Sequence, residues 1–325
     1  GSPTGHTQIQ MSEVLSPPGK PISCARAGPS GSRPESTWSC SLCVGPPRSG
    51  GPLRMEPLPT RKVPDAWRAA GRAGAATVDC SLDLERTQVT VQADADGWSV
   101  AGRRYPYLER CKDRTIYYWT GSEFAPASRF TTSLIKLVPT DWGPPTFEID
   151  GIKMLPTARV SPYADAERKV ALIEPRGKRI LDTCGGLGYF AAFCMQGQAS
   201  AIESFEKNAD VLWLRGLNPW SPSTAPPLSL THADVVEALA AQPSESFDAA
   251  LHDPPRFGIA GELYSQSFYR ELARVLHRGG RLFHYTGAPN SLTSGRDLAN
   301  EVRRCFALAG FTTAPEADGV LAKKR

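Results

Sequence analysis

The apolar run Arg179-Ile-Leu-Asp-Thr-Cys184 opens directly into Gly185-Gly-Leu-Gly188 and then into Tyr189-Phe-Ala-Ala-Phe-Cys-Met195. A short buried strand, a glycine turn and an apolar helix in that order leave few folds available. The glycines bring the backbone close to whatever lies beyond the strand end. Strand and helix then keep alternating. Ala199–Glu206 reads as a second strand and Asn208–Leu217 as a second helix. Phe247–Asp253 is a further strand ended by Pro254-Pro255, Phe268–Leu276 a helix stopped by Gly279-Gly280, and Arg281–Tyr285 the next strand. A helix over Asp297–Ala309 and a strand over Gly319–Ala322 complete an α/β, Rossmann-like doubly wound sheet.

Residues 151–325 carry that sheet, and residues 66–150 read as a smaller β-rich domain before it. Thr87–Gln92 alternates polar and apolar residues, turns through Ala93–Gly97 and resumes at Trp98–Ala101, which predicts a hairpin. Thr115–Trp119, Ser133–Val138 and a hairpin over Thr146–Met154 follow. Tyr105, Tyr107, Tyr117, Tyr118 and Trp119 alternate with Arg103, Arg104, Arg110 and Arg114. That mixture suits stacking and phosphate contact with RNA, and it suits a small aromatic core with arginines in solvent still better.

Residues 1–65 are of another kind. They hold 12 Pro, 8 Gly and a single aromatic, Trp38, too little apolar surface to offset the entropy of ordering. A disordered tail is expected, with Met11 and Met55 as candidate starts after Gly1-Ser2. The Ser-, Pro- and Arg-rich composition also fits a transit peptide, which would direct a protein otherwise expected in the cytoplasm to a plastid or mitochondrion. Cys40-Ser-Leu-Cys43 is half a zinc site without a second pair, so no metal is expected. Eight scattered Cys argue for reduced thiols. No apolar run reaches membrane-spanning length, so no membrane partner is expected. A net charge of +4 leaves any nucleic-acid contact to a local patch.

Ligands of such sheets bind beyond the carboxyl ends of the strands. Asp182, just before the glycine turn, suits a cationic amino-acid moiety better than a diphosphate. Glu206, ending the second strand, suits ribose hydroxyls, with Glu203 as the mid-strand competitor. S-adenosylmethionine is therefore favoured over a nicotinamide cofactor. At the fourth strand end stands His252-Asp-Pro-Pro-Arg-Phe257. An Asp-Pro-Pro run there fits methylation of a planar exocyclic amine, whose lone pair must be turned out of conjugation. The Asp253 carboxylate and the Pro254 carbonyl can accept the two N–H groups, and Pro254 and Pro255 stiffen the backbone. The position after the prolines, commonly aromatic, is Arg256, so Phe257, Tyr264 or Tyr285 is expected to stack on the base.

The motifs Leu181–Tyr189, Leu217-Asn-Pro-Trp-Ser221, His252–Phe257, Gly261-Glu-Leu-Tyr264 and Gly280–Gly287 resemble an archaeal-type class I S-adenosylmethionine-dependent methyltransferase family with a DPPR motif. Its members include an enzyme that dimethylates cytosine N4 in small-subunit ribosomal RNA. The resemblance spans about residues 146–325. It implies S-adenosylmethionine binding, with S-adenosylhomocysteine as product, by Asp182, Gly186, Gly188, Glu206 and Asp234. It implies Asp253, Pro254 and Pro255 at the amine and RNA as partner. Cys184 stands in the cofactor turn where many methyltransferases have Gly.

Other residues carry two readings. Asp234 suits the cofactor adenine or a helix N-cap. His252 suits the amine proton or a satisfied core position, and Arg256 a phosphate or a surface ion pair. Trp220 suits the cofactor wall or the core, and Ser161-Pro-Tyr163 a lid. Lys323-Lys-Arg325 reads as a frayed end. A small-molecule or protein amine substrate, and a non-catalytic cofactor-binding module, stand as rivals. Oligomeric state is open.

Overall fold

A computed structural model describes residues 56–63, 67, 69–70, 77–287 and 297–325. The expectations for Cys40 and Cys43, for a transit segment and for most of the tail lie outside these residues. Residues 56–63 correct the tail reading at its end. Leu58 and Val63 are buried, Leu58 N donates to Leu82 O at 2.8 Å, and Pro59 O accepts from Tyr117 N at 3.1 Å.

Short alternating strands come first. β1 (Thr77–Cys80), β2 (Val89–Ala93), β3 (Gly97–Val100) and β4 (Arg103–Pro106) form an antiparallel meander, and β5 (Tyr117–Trp119) pairs with β6 (Phe124–Pro126). β7 (Ser128–Phe130), β8 (Leu134–Val138), β9 (Thr146–Ile149) and β10 (Ile152–Lys153) form a second sheet. The aromatics of this region build its core: Trp67, Trp98 and Tyr105 are buried, and Trp98 stacks on Tyr105 at 4.6 Å. Its arginines are spent on ion pairs, Arg103 with Glu56, Arg104 with Asp94 and Arg114 with Glu148. The aromatic core expected from the sequence is present, and these three arginines stay exposed at its surface.

The helix α1 (Pro162–Ile173) leads into the large sheet. Ser161, considered above for a lid, is its N-cap: the hydroxyl accepts from Tyr163 N at 3.1 Å, and Pro162 sits in the first turn. Then come β11 (Arg179–Asp182), α2 (Tyr189–Gln196), β12 (Ala201–Glu206), α3 (Ala209–Leu217), β13 (Leu228–His232), α4 (Val235–Ala241) and β14 (Phe247–His252). A 3-10 turn (Gly261–Tyr264), α5 (Gln266–Val275), β15 (Leu276–Tyr285), α6 (Leu298–Leu308), β16 (Phe311–Glu316) and β17 (Gly319–Lys324) complete the chain.

The strand order is β13-β12-β11-β14-β15-β17-β16, parallel except for β17, and the order reverses between β11 and β14. Alternation along each strand supplies two cores. Ile180, Ile202, Ala249, Leu251 and Phe283 face one side, whereas Leu181, Phe205, Ala250 and Leu282 face the other. The first side also holds Ile135, Leu137 and Phe147 from the second sheet, so both sheets share one apolar cluster. Asp150, expected at a domain boundary, lies between β9 and β10, inside a hairpin.

Two local readings change. α5 ends at Val275 because Leu276 is already extended, and Gly279-Gly280 lies inside β15 rather than stopping the helix. Lys323 and Lys324 belong to β17, where Lys324 Nζ donates to Leu276 O at 2.6 Å, so this end is tied down.

The ends of β14 and β15 carry two fully buried histidines, ring centroids 4.5 Å apart. His252 Nε2 donates to Leu263 O at 3.0 Å, which leaves Nδ1 to accept from the Thr183 hydroxyl at 2.7 Å. His284 Nδ1 donates to Tyr285 O, and Nε2 accepts from Tyr269 OH at 2.9 Å. Burial drives both rings toward the neutral form, His252 down to about 4 from 6.5. His252 is therefore a fully bonded core residue and not a proton acceptor for substrate. Below about pH 6.5 the unfolded chain binds a proton that the folded ring refuses until about pH 4, so stability is lost on acidification. The stability advantage of the wild type over His252→Asn, measured by urea denaturation, should shrink by about 2–3 kcal/mol between pH 7 and pH 4.5. An advantage constant with pH would rule out a neutral buried His252.

Candidate active site

The reversal of strand order sets the site. Thr183 joins the two central strands at their carboxyl ends, with its N–H donating to Leu251 O at 3.1 Å and its hydroxyl to His252. Beyond that junction opens a cavity of about 1110 Å³. Ligand sites commonly measure ~300–1,000 Å³, so this one stands just above the upper end of that range. The glycine turn, the end of β12 and the Asp-Pro-Pro run form its floor. Phe147 and Ile149 from β9 and Thr131 from the β7–β8 turn form a wall.

Of the residues expected to hold a cofactor, Cys184, Gly186, Gly188, Glu206 and Asp234 line the cavity, and Asp182 does not. Glu206 is pinned from two sides: Oε2 accepts from Gly186 N at 2.9 Å and Oε1 from Asn208 N at 2.8 Å. Burial raises its pKa above the usual carboxylate range while these backbone donors pull it back. Glu203, the competitor, pairs mid-strand with Arg179 on the surface. Asp182 is 1% exposed beneath the turn, where Oδ2 accepts from Ser204 Oγ at 2.7 Å and Oδ1 has no hydrogen-bond partner among the described residues. Burial pushes its carboxyl up to about 6. A carboxylate so enclosed supports the turn from behind and does not itself reach a ligand in the cavity.

Asp234 serves the local structure. Oδ1 caps α4 by accepting from Val236 N at 2.9 Å, and Oδ2 meets Lys207 Nζ at 2.7 Å. The half-buried thiol of Cys184 is pushed well above its ordinary range, first by loss of solvation, and stays protonated.

Asp253, Pro254, Pro255, Arg256 and Tyr285 also line the cavity, whereas Phe257 and Tyr264 do not. Tyr264 is buried, and its hydroxyl donates to Pro255 O at 3.0 Å, which holds the Pro-Pro backbone in place. Phe257 is 42% exposed and packs edge-on against Tyr264 at 5.5 Å. Of the aromatics expected to stack on a base, Tyr285 alone stands on the wall. Trp220 is part of the core, its Nε1 donating to Leu84 O at 3.0 Å.

Three residues at the site were not anticipated. Lys169 and Asp165 come from α1 and Asp318 from the β16–β17 turn. Lys169 Nζ lies 2.8 Å from Asp165, 3.6 Å from Asp253 and 3.7 Å from Asp318, and 4.0 Å above the Tyr285 ring. A helix signal existed, Ser161-Pro162 followed by apolar Ala166, Val170 and Ile173 at helical spacing. Nothing local marks which of its charges turns inward. Arg215 is the fourth omission. Its guanidinium is buried under the glycine turn, with Nη1 donating to Gly185 O at 3.4 Å.

No protein-family model matches the sequence. Over 214 residues the chain is 40% identical to the uncharacterized protein MJ1233 of Methanocaldococcus jannaschii, covering 64% of this chain and 73% of that one. The chain belongs to the MJ1233 family. Among solved structures, a spermidine synthase in complex with the transition state analogue AdoDATO matches with a TM-score of 0.50 and 16% identity, over 61% of this chain and 73% of that one. An S-adenosylmethionine dependent methyltransferase from Mesorhizobium loti matches at 0.37 and 16%, over 49% and 96%. MNMC2 from Aquifex aeolicus matches at 0.43 and 18%, over 58% and 70%. At such identities only the spermidine synthase match bears on the fold, and it speaks for a Rossmann-like α/β sheet. For this member of the MJ1233 family the glycine turn yields a direct test. A Cβ at Gly188 would stand 2.5 Å from the Arg215 Cζ at φ +84, while one at Gly186 meets nothing closer than 3.7 Å at φ +49. Gly186→Ala should cost about 1–2 kcal/mol of backbone strain, and Gly188→Ala at least about 2 kcal/mol more. Equal losses in chemical denaturation would show that Arg215 does not fill the space under the turn.

Proposed function

We propose that the chain is an S-adenosylmethionine-dependent N-methyltransferase acting on the exocyclic N4 amine of a cytidine in RNA, with ribosomal RNA as the source. The observation that carries the reading is the shared cavity: the Glu206-pinned glycine turn and the Asp253-Pro254 strand end both line it. The chain's residues suit the cofactor. Gly186 and Gly188 take positive φ where the backbone borders the cavity, and the Glu206 carboxylate stands at the β12 end, where ribose hydroxyls of a nucleoside would be met. Bound S-adenosylmethionine supplies an electrophilic sulfonium methyl group and leaves as S-adenosylhomocysteine.

The rest falls to the protein. An aryl amine is nucleophilic only when its lone pair is freed from conjugation with the ring. The Asp253 carboxylate and the Pro254 carbonyl are two acceptors on adjacent residues, suited to hold the two N–H groups in that orientation. Asp253 then takes the proton that the methylated nitrogen sheds. Burial raises its carboxyl above the ordinary range, which makes it a better acceptor than an exposed Asp. Tyr285 offers a ring face on the cavity wall, and the exposed Arg256 and Phe257 beside the site suit neighbouring nucleotides.

Tritiated methyl transfer to total RNA, followed by nucleoside mass spectrometry, should yield methylated cytidine. Asp253→Ala should lower transfer about a hundredfold or more while leaving S-adenosylhomocysteine affinity in calorimetry within a few-fold. Label found only on protein or small amines would refute the RNA substrate, and normal turnover by the variant would remove Asp253 from the amine site.

A further inference from the structure

Lys169 enters no part of the mechanism above, yet its ammonium is buried at the reacting end of the cavity. Its side chain is 1% exposed, against 15% for Asp253, 8% for Asp165 and 21% for Asp318. Three elements meet on it: α1 through Asp165, the β14 end through Asp253, and the β16–β17 turn through Asp318. The turn is itself fixed, because Asp318 O accepts from Thr286 N and Gly287 N, both at 3.1 Å. Tyr285 closes the arrangement from beneath, with Nζ 4.0 Å above its ring. We propose that Lys169 is a positioning residue that fixes the Asp253 carboxylate in place and in its acceptor-only form, so that it meets a planar amine solely as a hydrogen-bond acceptor. The inference rests on the amine-site reading of Asp253.

The chemistry follows from the donor set. A protonated Asp253 would place a hydroxyl donor against an amine that has only N–H groups to offer on that side. It could not take the departing proton either. Asp253 faces Lys169 and Asp165 from α1, Asp318 from the β16–β17 turn, Tyr285 from β15, Tyr264 from the 3-10 turn, and Cys184 and Asp182 from the β11 end. Arg168 on the same helix is engaged with Asp318 at 2.7 Å and Asp165 at 3.2 Å. Burial and the two neighbouring carboxylates favour the protonated acid, and Lys169 is the cation that opposes them. Asp165 in turn holds Lys169, whose own proton is retained more firmly than usual despite burial.

Lys169→Met alone strands three carboxylates and risks unfolding, so the decisive variant is Lys169→Met with Asp165→Asn, which removes one cation and one anion together. Lys169→Arg is the conservative control. The readout is the carbon-13 titration of the Asp253 side-chain carboxyl, assigned with Asp253→Asn, in folded protein with S-adenosylhomocysteine added. The Asp253 midpoint should rise by at least half a pH unit in the double variant, about a threefold weakening of the acid, and should stay near the wild-type value in Lys169→Arg. An unchanged midpoint in the double variant would overturn the assignment. The titration needs no turnover. A shifted midpoint in a protein that transfers no methyl to RNA would uphold Lys169 and reject the RNA reading; an unshifted one in an active enzyme would do the reverse.

Discussion

The ammonium of Lys169 lies within 3.7 Å of three carboxylates and on the face of Tyr285, and this one buried cation ties three elements together at the Asp253 end of the cavity. An uncompensated buried charge costs several kcal/mol, so each partner constrains the others. Asp165 requires α1 to lie against the sheet, Asp318 requires the β16–β17 hairpin to turn inward, and Asp253 requires the strand end between them. The same three elements are also held by apolar packing and strand pairing, α1 through Ala166, Val170 and Ile173 and the hairpin through the β15–β17 ladder, so the ion cluster fixes side chains at a junction that the core already forms.

The opposite end of the cavity is organised by close approach. Gly185 and Gly188 leave room for Ser204 and for the Arg215 guanidinium, and Asp182 lies beneath with its hydroxyl partner. Glu206 then locks the turn from the next strand. Between the two ends, Thr183 and the paired histidines join β11, β14 and β15, so the acceptors at Asp253-Pro254 are carried on rigid elements. Such stiffness suits the proposed amine methylation, whose rate would come mainly from holding the amine in an unfavourable orientation.

The alternation of strands and helices, the glycine turn and the Asp-Pro-Pro strand end could be read in the chain because each is local: period-two burial, a positive-φ requirement and a proline stop. Glu206 was legible for the same reason, as the acid ending a strand. Asp182 was misplaced because the pattern cannot say on which side of a turn a carboxylate emerges, and it emerges toward Ser204. Tyr264 had the right neighbourhood, but its hydroxyl is taken by Pro255 O. Lys169, Asp318 and Arg215 stayed hidden because their roles depend on contacts across separations such as Lys169 to Asp253 and Arg215 to Gly185. A lone basic or acidic residue on a helix or hairpin otherwise reads as a solvated one.

The central claim, that the Asp253-Pro254 strand end receives an exocyclic amine beside the cofactor turn, is tested most directly by a crystal structure with S-adenosylhomocysteine and cytidine bound. The expected result is the ribose of the cofactor product at Glu206 and the cytidine N4 within hydrogen-bond distance, about 3 Å, of both the Asp253 carboxylate and the Pro254 carbonyl. A cytidine amine facing away from Asp253, or a cofactor product bound away from the glycine turn, would contradict it.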